Sequence, residues 1–169
     1  MCAFSRVLFG LTEEKIEVVI HRESILHSAV EYVDNSIIGE LSVPDMRSCI
    51  QYALDYPERK AAKIKPLDLV SLGKMSFFAP DTEAFPALNL AKRVLRAGGA
   101  SGAVLNAADE VAVAAFLGGK IGFTDIARTV EATLDRLPEA KNMHTKEELY
   151  EADRKAREIA LAIIQGEQN

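Results

Sequence analysis

Cysteine is scarce in this chain of 169 residues, and so are the short signatures that mark common catalytic sites. Cys2 and Cys49 are too few for a disulfide framework, and neither lies in a CxxC pair or in a Cys/His cluster with zinc spacing. They read as buried or incidental thiols. The sequence has no GxSxG elbow, no HExxH and no P-loop, so nucleophilic hydrolysis has no visible support. Basic excess is lacking too: 20 Lys and Arg against 25 Asp and Glu leave a net charge of -5, a poor match for a phosphate backbone. No apolar run approaches the roughly 18 residues of a membrane span. The leading MCAFSRVLFGLTEEK lacks a long apolar core and a small-residue cleavage site. These absences predict a soluble, cytoplasmic protein with neither nucleic acid nor membrane as partner.

What is present divides near the middle. Ile16–Ile20 (IEVVI) is β-branched and predicts a strand. Ser28–Val33 (SAVEYV) alternates in polarity, Asp34-Asn35-Ser36 supplies a turn, and Ile37–Leu41 (IIGEL) completes a hairpin. Val43-Pro44-Asp45 then opens a helix that should run to about Asp55 and stop before Pro57. The stretch from Pro57 to Pro80 reads as a connector laid over the sheet. Leu67, Leu69 and Leu72 would anchor it, the charge run Glu58–Lys65 would be solvated, and Met75–Ala79 (MSFFA) would be a short strand.

Beyond Pro80 the apolar period changes from two to 3.6. Pro86–Ala97 carries Leu88, Ala91, Val94 and Leu95 on one side and ends at Gly98-Gly99. Ser101–Leu117 is rich in Ala and Val and ends at Gly118-Gly119. Thr124 can cap a third helix with Ile126, Val130, Leu134 and Leu137 inward and Pro138 at its end. Thr145 and Glu148 form a capping box for a fourth, whose apolar face holds Leu149, Ala152, Ala156, Ile159, Ala160 and Ile163. The fold class predicted is α+β: a partial antiparallel or mixed sheet with helices over residues 1–80, then a small all-α bundle over 81–169.

Candidate chemistry is sparse. Histidine serves acid/base, hydrogen-bonding and ligand roles near neutral pH, and two of the chain's three histidines, His21 and His27, flank strand patterns. Either could equally be a satisfied structural histidine, and His144 sits before a helix cap. Glu13, Glu14, Glu17 and Glu23 alternate along a strand pattern or lie in a turn instead of converging as a hard cation requires, so no metal site is assigned. The glycine cluster AGGASGA (97–103) falls between two helices, not between a strand and a helix, and reads as a cap. Val43–Met46 (VPDM) is open to two readings: a proline-pinned loop offering Met46 to a flat ligand, or a helix start with Met46 in the core.

HRESILHSAVEYVDNS (21–36), SVPDMRSCIQYALDYPER (42–59), KPLDLVSLGKMSFFAPD (65–81), FPALNLAKR (85–93), VLNAADEVAVAAFL (104–117) and IGFTDIA (121–127) together resemble the C-terminal half of the 1-deoxy-D-xylulose 5-phosphate reductoisomerases. The likeness runs in unbroken order from about Leu8 to Ile159. It implies the end of that family's catalytic domain followed by its C-terminal helical domain. The family converts its sugar phosphate to 2-C-methyl-D-erythritol 4-phosphate in the non-mevalonate route to isoprenoids, using NADPH and a divalent cation (Mg2+, Mn2+ or Co2+). By resemblance, His27 matches the second histidine of the family's HPQSxxHSMV segment and lies at the active site. Pro44 and Met46 match the PDMR segment, which lies close to the nicotinamide ring. The β segment resembles part of the sheet through which family members dimerise.

The departures are equally specific. Residues matching the N-terminal dinucleotide-binding domain, the acidic metal ligands, the phosphate-binding serines and the NKGLE-type stretch are not found. HPQS is HRES here and HSMV is HSAV. The expectation is therefore a chain that binds no cofactor and is inactive by itself, and that works as a homodimer or as the complement of a missing N-terminal half. The alternative is a non-catalytic dimerisation or binding module derived from that enzyme.

Overall fold

The structure is a computed structural model and describes residues 8–166. The chain forms two compact units: Val18–Pro80, and the remainder, in which the segment ending at Glu17 joins the chain from Asp81 onward.

In the Val18–Pro80 unit, Leu26–Glu31 (β1) and Ile37–Leu41 (β2) pair antiparallel, as the alternation predicts. The turn is held from within. Asp34 Oδ1 accepts the Ser36 amide at 3.0 Å and the Ser36 hydroxyl at 2.6 Å, and Asn35 takes the left-handed φ of 64° that asparagine tolerates. The ladder matches Ser28 with Glu40, Ala29 with Gly39, Val30 with Ile38 and Glu31 with Ile37. Between Leu26↔Leu41 and Ser28↔Glu40 it slips by one, leaving His27 as the extra residue of a β-bulge.

Ile16–Ile20 does not form the predicted strand. β-branched propensity needs a neighbouring strand to satisfy its backbone groups, and only Ile20 finds one, in an isolated bridge to Phe78. Met75–Ala79 likewise contributes that bridge and no strand. Arg47–Asp55 is helical (α1), ending before Pro57 as expected. Within the connector, Leu69–Leu72 forms a short helix (α2) that the sequence reading missed: Asp68 Oδ1 accepts the Val70 and Ser71 amides. Leu69 is exposed and not an anchor, whereas the run Glu58–Lys65 is almost wholly exposed. Ile25 is the one buried hydrophobic residue of this unit among the described residues.

The other unit holds the core. Its helices are Ala87–Ala97 (α3), Ser101–Leu117 (α4), Phe123–Arg136 (α5) and Lys146–Ile164 (α6), with a 3-10 turn at Pro138–Asn142 between the last two. Ala107, Ala108 and Val104 of α4 share the core with Ala152, Ala156 and Ala160 of α6, which lie at four-residue spacing on one face. Val130, Leu134 and Leu137 enter from α5 and its end, and Leu90 and Val94 from α3. Leu88 and Ala91 are half-buried, while Leu90, absent from the expected face, is inside. Thr145 and Glu148 cap α6 reciprocally as predicted. Thr124 does not cap α5: Asp125 reaches back to the Gly122 amide at 2.9 Å, its longer carboxylate spanning the first turn. Glu13, in a 3-10 turn at Glu13–Lys15, is tied to α3 through Arg96 at 2.8 and 3.1 Å. These features place the chain in the α+β class with a helical C-terminal region. Among the described residues no helix is long and apolar enough to cross a membrane.

Candidate functional site

His27 owes its placement to the bulge, because inserting one residue into a strand re-aims the side chain there and increases the local twist. Its Nδ1 lies 3.2 Å from Glu40 Oε2 across the hairpin, and both side chains are partly open to solvent. A carboxylate on one ring nitrogen fixes the ring's orientation. Glu40 was not singled out from the sequence. A regular continuation of the hairpin register would set His27 opposite Leu41, so without the bulge nothing in the sequence pointed to Glu40.

The end of β2 lies against the start of β1, and the Ser42 amide donates to Ile25 O at 3.1 Å. The Val43–Met46 loop therefore leaves the sheet at the His27 end of the hairpin. Pro44 is exposed and Met46 is 71% exposed, so of the two readings of this loop the core position of Met46 is excluded. Asp45 organises the turn: its carboxylate accepts the Arg47 amide at 3.0 Å and grips the Arg47 guanidinium through Nε and a second nitrogen. The Arg47 side-chain hydrogen bonds hold the Asp45 carboxyl far below its ordinary value of 3.8, at about 2. Asp45 is thus ionised at neutral pH and already committed to Arg47.

His21 belongs to a separate set of contacts. Its Nδ1 sits 3.0 Å from Ser76 O, and its ring stacks on Phe77 with centroids 4.8 Å apart. The structure does not join the two histidines as a ligand pair: the polar contacts of His21 go to Ser76 and Glu23, those of His27 to Glu40. Among the described residues no group of three or more His, Cys, Asp or Glu side chains is placed to hold a metal ion. Cys49 is exposed rather than buried, and Cys2 lies outside the described residues.

The sequence profile of the DXP reductoisomerase C-terminal domain matches residues 41–159. The chain belongs to that family. Pro44 and Met46 lie inside the matched range, whereas His27 precedes it. The chain is 53% identical over 157 residues to the 1-deoxy-D-xylulose 5-phosphate reductoisomerase of Pelodictyon phaeoclathratiforme, covering 93% of this chain and 41% of that protein. It is 44% identical over 160 residues to the enzyme of the same name from Agrobacterium fabrum, covering 95% and 40%. Among solved structures it superposes with a TM-score of 0.90 on the Zymomonas mobilis reductoisomerase in complex with NADPH, at 43% identity, covering 97% of this chain and 43% of that one. A DOX-P reductoisomerase in complex with NADPH, fosmidomycin and magnesium gives 0.90 at 43% identity, covering 97% and 42%. The chain thus spans about two-fifths of the length of the reductoisomerases it matches.

Proposed function

We propose that this chain supplies the C-terminal part of an NADPH- and divalent-metal-dependent reductoisomerase that converts 1-deoxy-D-xylulose 5-phosphate to 2-C-methyl-D-erythritol 4-phosphate in isoprenoid biosynthesis. In this reading it works in the cytoplasm together with the dinucleotide-binding and metal-binding half of such an enzyme, and these 169 residues do not turn over substrate alone. The observation that carries the reading is the conjunction at one end of the hairpin: the His27 bulge and the exposed Val43–Met46 loop, in a chain of this family.

The residues present fit part of what the family needs. Met46 and Pro44 offer an exposed, apolar and polarisable surface suited to the face of a nicotinamide ring. NADPH, when bound, supplies the hydride; this chain's part is to lie against the ring and to orient His27 toward the substrate. The metal does not fit in the same way, because no carboxylate cluster converges here among the described residues, so no step through a metal is assigned to these side chains.

The test mixes this chain with a separately expressed N-terminal part of the Zymomonas mobilis enzyme and follows loss of NADPH absorbance with the sugar phosphate and Mg2+. Turnover should appear only in the mixture, and His27→Ala in this chain should lower it by on the order of a hundredfold. A complex that forms yet stays inert, or turnover by this chain alone, would contradict the proposal. Exposed apolar side chains on the hairpin, including Val30, Tyr32, Ile37 and Ile38, favour the alternative of a non-catalytic dimerisation module. Sedimentation showing a dimer of this chain with no affinity for the N-terminal part would support that alternative.

A further inference from the structure

The segment leading into His27 is clasped along its length. Ile20 and Phe78 exchange two backbone hydrogen bonds of 2.9 Å. The Arg22 guanidinium stands over the Phe78 ring at 4.9 Å. Ser76 donates its hydroxyl to Glu23 Oε1 at 2.5 Å and its amide to Glu23 Oε2 at 3.3 Å. The same Oε2 lies 3.1 Å from His21 Nδ1, which also faces Ser76 O at 3.0 Å. Ser24 closes the turn by donating its amide to His21 O at 3.2 Å, at a left-handed φ of 52°.

Two acceptors converge on Nδ1, so in the neutral ring that nitrogen carries the proton. Nε2 is then a lone pair, and among the described residues it is buried with no hydrogen-bond partner, in a side chain only 6% exposed. The Nδ1 side, held by Ser76 O and Glu23 Oε2 together, is where the ring is tied to the rest of the unit.

We propose that His21 and Glu23 are positioning residues: Glu23, gripped by Ser76, fixes the His21 tautomer and the His21–Ser24 turn, and that turn sets where the bulged His27 stands. The chain between is short. Ile25, buried, and Leu26, first residue of β1, are all that separate the clasp from His27, so a turn that shifts carries the bulge with it. Glu23 stands where the family pattern has Gln, a residue that keeps an acceptor oxygen for Ser76. This inference rests on the reading that His27 lines the reductoisomerase site.

The test is long-range proton–nitrogen NMR of the histidine rings in the full chain, which requires no turnover and so remains informative if the activity proposed above fails. His21 should appear as the Nδ1–H tautomer. Glu23→Leu should displace the His27 ring signals while leaving the amides of α3 to α6 in place, and Glu23→Gln should restore them. Ser76→Ala serves as the milder variant if Glu23→Leu unfolds the hairpin, and should shift His27 in the same sense. In the reconstituted mixture Glu23→Leu should lower kcat by on the order of tenfold to a hundredfold with little change in KM. A His21 ring protonated on Nε2, or His27 signals unmoved in both Glu23→Leu and Ser76→Ala, would overturn the proposal.

Discussion

Ala156→Leu is the perturbation that most directly examines how the helical unit is built. Ala152, Ala156 and Ala160 are fully buried and recur one turn apart on α6, where they share a core with the equally buried Ala107 and Ala108 of α4. With no exposed surface at any of these alanines, their methyl groups are enclosed by the core. Leucine adds three carbons at the middle of that seam. Moving them from water to the interior is worth about 0.8 kcal/mol per methylene, but a closed seam offers no space, and overpacking of this kind costs about 1–3 kcal/mol net. For a chain of this size each kcal/mol corresponds to about 2–4 °C, so the helical unit should melt about 2–12 °C lower. The assay is thermal denaturation followed by far-ultraviolet circular dichroism. Tyr150→Ala, at a position 67% exposed on the same helix, serves as control and should stay within about 0.5 kcal/mol of the parent. An Ala156→Leu chain melting at or above the parent temperature would refute the close-packed seam.

Gly99→Ala should destabilise by about 2 kcal/mol or more, because φ is +55° and an added Cβ would meet the Lys141 backbone carbonyl. Gly102→Ala, in open space near the start of α4, should stabilise by about 0.5–1 kcal/mol, so denaturant melts of the pair separate steric need from conformational freedom. Thr145→Ala removes the hydroxyl that accepts the Glu148 amide and should cost about 1 kcal/mol, read in the same melts. Asp45 has a folded value below its unfolded one, so its contribution to stability is complete above about pH 4 and is lost as pH falls toward about 2. A carbon-detected titration of the Asp45 carboxyl should show the low midpoint, returning toward 3.8 in Arg47→Ala. An unchanged midpoint in that variant would remove Arg47 as its cause.

How legible each part was depends on where its information resides. The Asp34-Asn35-Ser36 turn and the Thr145–Glu148 box are satisfied by residues two or three positions apart, so their chemistry can be read along the chain. Asp68 caps α2 by the same kind of local bond to Val70 and Ser71, yet the surrounding charged and apolar residues hid it within a connector. Ile16–Ile20 shows the opposite failure: its β-branched composition is plain, but a strand exists only if another backbone lies alongside, and among the described residues Phe78 alone does so. Met46 could have faced either way, since one methionine beside a proline reads the same buried or exposed.

By itself, the sequence determined the helix limits at Gly98, Gly118 and Pro138, the hairpin turn, and a family resemblance dense enough to mark His27, Pro44 and Met46. These rest on local backbone preferences and on motif order, both of which are written in consecutive residues. Only the tertiary structure decided that His27 is the extra residue of a bulge facing Glu40, that Glu23 reaches Ser76 to clasp the turn before it, and that Met46 is turned outward. Each depends on strand register or on contacts between residues far apart in sequence, and a one-residue change in register reverses which side chains share a face.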